Sequence, residues 1–547
     1  MLKCYINGKL CTFKKQTTLF DIIKITKKDY KRFLVCKINN KLYNLSQKVK
    51  NGDRIKLLDI TDREGFRCYQ NSLSFLLSLT VNECFPGKKL TIDHSFGDGF
   101  YCRFASGQIV RKSDVQILKK IMNQKVNEKR PFLKIRQSKN QLMKYFIKNE
   151  KFEKIQLLRY EERKRLKIFA CDNYMDFTFT PLVPDSSYLK LFALHFYKNG
   201  FVLRFPHPEE MRKFPAFPDR KKLFEVFNEY EQWGEILDVS NIISLNKRIE
   251  SGEISDLIKI AEALHEKKIA RIADEIKEKG SKLKIILISG PSASGKTTFS
   301  KRLAIQLRVN CLNPINISTD DYFLEREKTP RLTDGTLDFE SINAIDVKLL
   351  NKHLVSLLHG REVQCPHFEF STGKRLKGRK IKMYKNQIIL TEGIHGLNEK
   401  LTYQIPKENK YKIYISALTQ LNIDSNHRIS TRDTRLIRRM VRDSLYRRHS
   451  TRETFRLWKN VQKGEDKNIF PFQEEANVMF NSALVYELSV LKRFAVPLLK
   501  TISNKQEEFS KSERLLKFFS FFKVISPAEV PPTSILREFI GGSSFMY

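Results

Sequence analysis

Residues 281–300 read SKLKIILISGPSASGKTTFS. Residues 285–288 form an unbroken apolar run, the pattern of a strand buried on both faces. The run leads into GPSASGKT, residues 290–297, which has the spacing G-x-x-x-x-G-K-[ST] of a phosphate-binding loop. Gly290 and Gly295 let the backbone curl, so that the N–H groups of Ser292, Ala293, Ser294 and their neighbours point inward at phosphate oxygens. A helix starting near Lys296 adds its positive end and extends the cradle to Thr298. Lys296 is placed to neutralise the outer phosphates, and the Thr297 hydroxyl to ligate Mg²⁺. A Gly/Ser-rich surface turn would need neither the buried strand before it nor the helix-forming FSKRLAIQL after it. The stretch implies a nucleotide site.

The chain has 547 residues, enough for three or four domains, and 41% hydrophobic residues, which excludes wholesale disorder. Its formal charge of +39 has two readings: a nucleic-acid partner, or a Lys- and Asn-rich composition spread over the whole chain. Nine cysteines stand singly, without C-x-x-C pairs, as thiols in a reducing compartment do. With no signal-type apolar block and no stretch of about 20 apolar residues, a cytoplasmic protein without a membrane partner is expected.

Residues 1–61 alternate apolar and polar positions about Asn7-Gly8, a hairpin signal, then give a helix capped by Thr17 or Thr18 and further short strands. This β-grasp pattern, closing on GDRIKLLDI, resembles the TGS domain of threonyl-tRNA synthetases. Residues 62–232 resemble the second, editing-type domain of those enzymes through FPGKKLTIDHSFGDGFYCRF and residues 176–184. The resemblance places Phe75, Leu79, Thr178 and Leu182 where editing enzymes carry His-x-x-x-His and Cys-x-x-x-His, so a scaffold without the editing chemistry is implied. The runs QSKNQLMKYFIKNEKFEK and RYEERKRLK are basic with aromatics between; solvated helix faces are the expectation, with RNA binding as the alternative. Residues 233–281 form a helical connector with Leu257, Ile260, Ala261, Leu264, Ile269, Ile272 and Ile276 at core spacing, His265 packing among them, and Gly280 as its end.

After the loop, residues 315–318 read as a strand delivering Asp320 and Asp321 to the edge where parallel sheets hold ligands. A carboxylate there can take the proton of an attacking hydroxyl. QIILTEG ends a third strand with Glu392, where a Mg²⁺-supporting acid would stand. Residues 435–458 hold an arginine cluster expected to close as a lid over a transferred phosphoryl group.

In this order the loop, STDDYF, LDFESINAID, VQCPHFEF, ILTEGI and RRMVRD resemble the uridine kinase/phosphoribulokinase family across residues 282–500. The whole chain resembles the bacterial architecture that joins TGS and editing-like domains to such a kinase. The resemblance implies an ATP- and Mg²⁺-dependent kinase for a nucleoside 5′-hydroxyl, of uridine or cytidine type. Asp320 would be the base, Lys296 the phosphate clamp, Arg442 a catalytic arginine, and Thr297 with Glu392 the Mg²⁺ support. Glu340 would hold the ribose, where the family has Asp; Phe368 and Phe370 would line the base site, and Arg439 and Arg447 would contact substrate. The pyrimidine-binding His of uridine kinases aligns with Gly373, which leaves the acceptor open between a nucleoside, pantothenate and a sugar phosphate. An RNA-binding regulator with a nucleotide switch is the reading from another class. A homo-oligomer fits the sequence as well as a monomer. Residues 501–547 are expected to form one helix, 511–524, and a packed tail without chemistry. The fold expected is multidomain α/β and α+β: a β-grasp unit, an editing-like unit, and a P-loop kinase with a parallel sheet flanked by helices.

Overall fold

The computed structural model describes every residue except 1, 14–16, 27–28, 106–107, 209–213, 215, 218, 333–334, 370–371, 420 and 547. At the front, Leu2–Ile6 pairs antiparallel with Lys9–Phe13 through a turn in which Asn7 and Gly8 take φ of 47° and 85°. Two successive positive φ values define the hairpin turn that Asn-Gly favours. Leu2–Ile6 then pairs parallel with Arg54–Leu58, the central strand of a five-stranded β-grasp sheet. The helix Leu19–Thr26 is capped by Thr18, whose backbone N–H donates to the Asp21 carboxylate while its hydroxyl accepts from Asp21 N.

The second unit packs the helix Arg63–Cys84 on a four-stranded antiparallel sheet that contains the hairpin Leu90–Phe96 and Gly99–Phe104. Alternate side chains of that sheet face opposite ways, as the pleat requires. Phe100, Cys102 and Phe104 meet Leu73 and Leu76; Phe96 and Tyr101 meet Phe224 and Phe227 of the helix Lys221–Leu237. That helix runs through the border expected between 232 and 233. In the connector helix Ile254–Glu278, Ile258, Ala261, Ile269, Ile272 and Ile276 are buried, but Ile260 is exposed. The buried face is rotated toward Ile258 and His265 because the helix packs on two neighbours, the helices at 221–237 and 296–309.

The C-terminal half is built on a five-stranded parallel sheet. Its spatial order is Asn313–Ser318, Gln387–Gly393, Ile285–Ser289, Lys410–Ser416, Val478–Asn481. All five residues of Ile285–Ser289 are buried, which explains the unbroken apolar run of the central strand. The strand carrying Asp320 is therefore not the neighbour of the loop strand; Gln387–Gly393 lies between them. Register aligns their ends nonetheless: Ser289 stands opposite Gly393, and Ser318 opposite Glu392. No helix among the described residues is long and apolar enough to cross a membrane.

The stretch 435–458 is not one helix. It splits into Thr431–Tyr446 and Thr451–Asn468, with Arg448 at φ 54° and Ser450 capping the second through a reciprocal bond with Glu453. The helix expected over 511–524 is Phe509–Phe519.

Candidate active site

Gly290 lies so close to the Ile415 carbonyl that a Cβ would stand 2.0 Å from it, so no side chain fits at the mouth of the loop. The helix Lys296–Val309 starts immediately after Gly295, which has φ 83°. Lys296 Nζ donates to the Gly290 and Pro291 carbonyls at 3.1 and 3.3 Å, folded over the loop. Thr297 Oγ1 donates to Glu392 Oε1 at 3.4 Å, while Glu392 Oε2 is buried with no hydrogen-bond partner among the described residues. Burial raises the Glu392 carboxyl to about 7, against the nearby positive charge of Lys296 and with Asp320 and Glu538 adding repulsion. An orphaned carboxylate oxygen beside a hydroxyl suits a hard divalent cation, so Thr297 and Glu392 fit Mg²⁺.

Asp320 sits in the short turn Thr319–Tyr322 that follows its strand. Burial raises its pKa, while Lys296 and Arg447 oppose the rise and Asp321 adds to it. Asp321 is turned elsewhere, with Oδ1 3.0 Å from His367 Nδ1. Glu340 reaches the same group of charges. Burial raises it to about 8, with Glu465 next in effect and Arg439 and Lys296 opposing. It has room because Gly464 faces it: a Cβ there would lie 2.2 Å from Glu340 Cβ.

The arginine helix divides its cluster by burial. Arg435 and Arg438 are fully buried and pair with Glu465 and Glu487, so neither belongs to a lid. Arg439, Arg442 and Arg447 converge on the buried Asp443 carboxylate. Arg439 also donates to Ser292 Oγ at 2.9 Å. Arg435 and Arg438 are thus committed to buried acids on other segments, while Arg439, Arg442 and Arg447 share one acid of their own helix.

Phe368 is buried against Phe323, inside the core beside the sheet. Phe370 lies outside the described residues. At Gly373 (φ 70°) the Arg326 side chain passes 2.3 Å from where a Cβ would stand, filling the place of the expected base contact. Of the loop residues, Ser294 Oγ is buried without a partner, and its carbonyl accepts from Ser482 Oγ. Ala293 supplies a positive φ of 58° inside the loop.

Three participants have no motif of their own. Glu465 accepts from Ser292 N at 3.0 Å; Asp443 gathers the arginines; and Glu538 accepts from Thr298 N and Oγ1 at 3.2 and 2.8 Å. Glu465 and Glu538 come from segments distant in sequence from the loop, and Asp443 is the one acid of RRMVRD, whose arginines alone carried the expected role.

Residues 285–489 match the Phosphoribulokinase / Uridine kinase family. The kinase-family domain thus accounts for the sheet, the loop and the arginine helix. The front half is similar to threonine–tRNA ligases. That of Carboxydothermus hydrogenoformans is 27% identical over 190 residues, covering 34% of this chain and 30% of the ligase. That of Ehrlichia canis is 22% identical over 197 residues, 36% of this chain and 31% of the ligase. The chain therefore spans about a third of the length of these relatives. Among solved structures, a possible uridine kinase from Bacillus stearothermophilus is 20% identical, covering 39% of this chain and 98% of its own, with a TM-score of 0.28. A D-glycerate 3-kinase from Cryptococcus neoformans is 11% identical over 46% of this chain and 87% of its own, with a TM-score of 0.22.

In the editing-like unit, Phe75, Leu79 and Leu182 are core residues, and Thr178 Oγ1 donates to the Thr180 carbonyl at 2.6 Å. No group of three metal-ligating residues occurs among the described residues. A cavity of about 550 Å³ lies between this unit and the kinase-family domain, lined by His94, Tyr101, Trp233, His265 and Asn422; Lys296 and Asp320 are not in its wall.

Proposed function

We propose that the protein is an ATP- and Mg²⁺-dependent kinase that phosphorylates the 5′-hydroxyl of a nucleoside. The observation that carries this reading is the common sheet edge at which the loop, Glu392 and Asp320 emerge in register. The loop amides and Lys296 would bind the phosphates, Lys296 leaving the carbonyls it now contacts. Thr297 and Glu392 would hold Mg²⁺, which supplies charge neutralisation on the phosphate oxygens. Asp320 would accept the hydroxyl proton as the acceptor attacks; burial raises its pKa and so makes it a stronger base than a solvated carboxylate. Glu340 would orient the sugar hydroxyls, and Arg439, Arg442 and Arg447 would stabilise charge on the phosphoryl group. Positioning and electrostatics carry such a transfer without a covalent intermediate.

Arg326 beside Gly373 favours a second reading within the same chemistry, in which the acceptor is anionic, a sugar phosphate or pantothenate. An acceptor panel with purified protein, ATP and Mg²⁺ separates the two. Product from uridine or cytidine supports the nucleoside. Turnover of an anionic acceptor with none of either nucleoside replaces it, and tight, salt-sensitive RNA binding with no phosphorylated product in the presence of ATP replaces both. Whether the front half contacts RNA is open to the same assay, since RNA binding would show the steep salt dependence of phosphate contacts.

A further inference from the structure

The C-terminal tail, to which the sequence assigned no chemistry, enters the phosphate cradle. Thr298 is the third residue of the loop helix, and its N–H is among the donors that a helix leaves unpaired at its start. Those donors and the helix dipole attract anions. Both Thr298 donors, the backbone N–H at 3.2 Å and the hydroxyl at 2.8 Å, go to one oxygen of Glu538, 240 residues further along the chain. The helix has no side-chain cap of its own, because Gly295 occupies the cap position.

We propose that Glu538 is an intramolecular competitor for the nucleotide's phosphate, holding the Thr298 end of the cradle until ligand displaces its carboxylate. The inference rests on the nucleotide-site reading above. Besides Glu392, two carboxylates accept backbone N–H bonds from the cradle, and they differ in one respect. Glu465, on Ser292 N, is neutralised by a buried two-point pair with Arg435, so it is structural. Glu538 forms no ion pair among the described residues, and its charge raises the neighbouring Glu392. An unneutralised carboxylate there opposes a phosphate twice, by occupying donors and by repulsion.

The tail backbone is not free to leave. Ile535, Leu536 and Phe539 are fully buried, Ile535 packs against Gly295 with Cγ2 2.5 Å from a would-be Cβ, and the Arg438 guanidinium lies 5.0 Å over the Phe539 ring. Glu538 itself is only partly buried, so rotation of one side chain frees Thr298 while the short helix Arg537–Ile540 stays in place. The device is a side-chain gate on a fixed wall.

The test compares full-length protein with Glu538→Gln and Glu538→Ala, measuring binding of ATP, pyrophosphate and adenosine by calorimetry and melting temperature without ligand. Removing one charge-assisted competing contact should tighten ATP and pyrophosphate by about tenfold and leave adenosine unchanged, while the ligand-free protein melts lower. A residue that merely caps the helix gives the lower melting temperature with equal or weaker phosphate binding, and that result overturns the proposal. Equal tightening of adenosine also overturns it. If wild type and both variants bind neither ATP nor pyrophosphate, the nucleotide-site reading itself falls.

Discussion

Asp320 and Glu392 owe their character to burial beside a lysine. Both carboxyls are raised by desolvation and held back by Lys296; Glu392 reaches about 7, where its proton competes with metal binding near neutral pH. Asp320→Asn removes the proton acceptor without changing size; kcat should fall by about 10²–10⁴-fold, with ATP affinity within a factor of about two, because the loop is untouched. Steady-state kinetics beside equilibrium binding checks this, and loss of ATP binding in parallel would assign Asp320 to the nucleotide instead. Glu392 must lose its proton to bind Mg²⁺. Half-saturation by Mg²⁺ should therefore drop as pH rises through about 7, and Glu392→Gln should abolish that dependence in a Mg²⁺ titration of nucleotide binding. The same shift sets a stability trend. A carboxyl raised above its unfolded value favours the fold while protonated, so the ligand-free protein should lose stability as pH climbs from about 4.5 toward 7.

At the scale of elements, the loop is held by the arginine helix as much as by its own strand. Ser292 is gripped three ways: its N–H by Glu465, its carbonyl by Arg435 at 3.1 Å, its hydroxyl by Arg439. Arg435→Met leaves Glu465 buried and uncompensated, a change that costs about 3–5 kcal/mol; urea unfolding measures it, and a change within error would mean the pair is dispensable. Glu465→Gln keeps an acceptor for Ser292 N and should retain more nucleotide binding than Glu465→Ala. The loop sequence, the strand before it and the helix after it were readable from their pattern, since a backbone cradle depends on local residues. The division of the arginines was not. Arg435 and Arg439 lie one turn apart, and only the position of Glu465 on the next helix and of Asp443 one turn on separates a buried brace from a candidate for the phosphoryl site.

The whole molecule joins its halves through buried charge. Lys154, in a run expected to be a solvated helix face, is 3% exposed and bridges Asp176 of the editing-like unit to Asp424 of the kinase-family domain at 3.0 and 2.9 Å. Asp433 accepts from Arg67 of the front half and from Arg514 of the tail helix. Lys154→Met should cost about 3–5 kcal/mol because two acids lose their cation in a dry site, lowering the melting temperature of both halves together; loss confined to one half would show that they fold independently. His427 and, after it, Lys154 hold the Asp424 carboxyl, and Arg514 and Arg67 hold Asp433, well below the usual range. Their contribution is complete above an unfolded value near 4 and is lost progressively as pH falls from there through the depressed folded values, so limited proteolysis well below about pH 4, and not in mild acid, should cut between the halves first.

Sequence alone determined the local devices: the phosphate loop, the Asn-Gly hairpin and the acids at strand ends. Each is written in contiguous residues because spacing by itself creates the geometry. Tertiary structure decided which charges are used up and which remain for chemistry. Glu465, Lys154 and Glu538 acquire their roles from partners far along the chain, and burial, which no local pattern specifies, turns those pairings into a brace, a bridge or a gate.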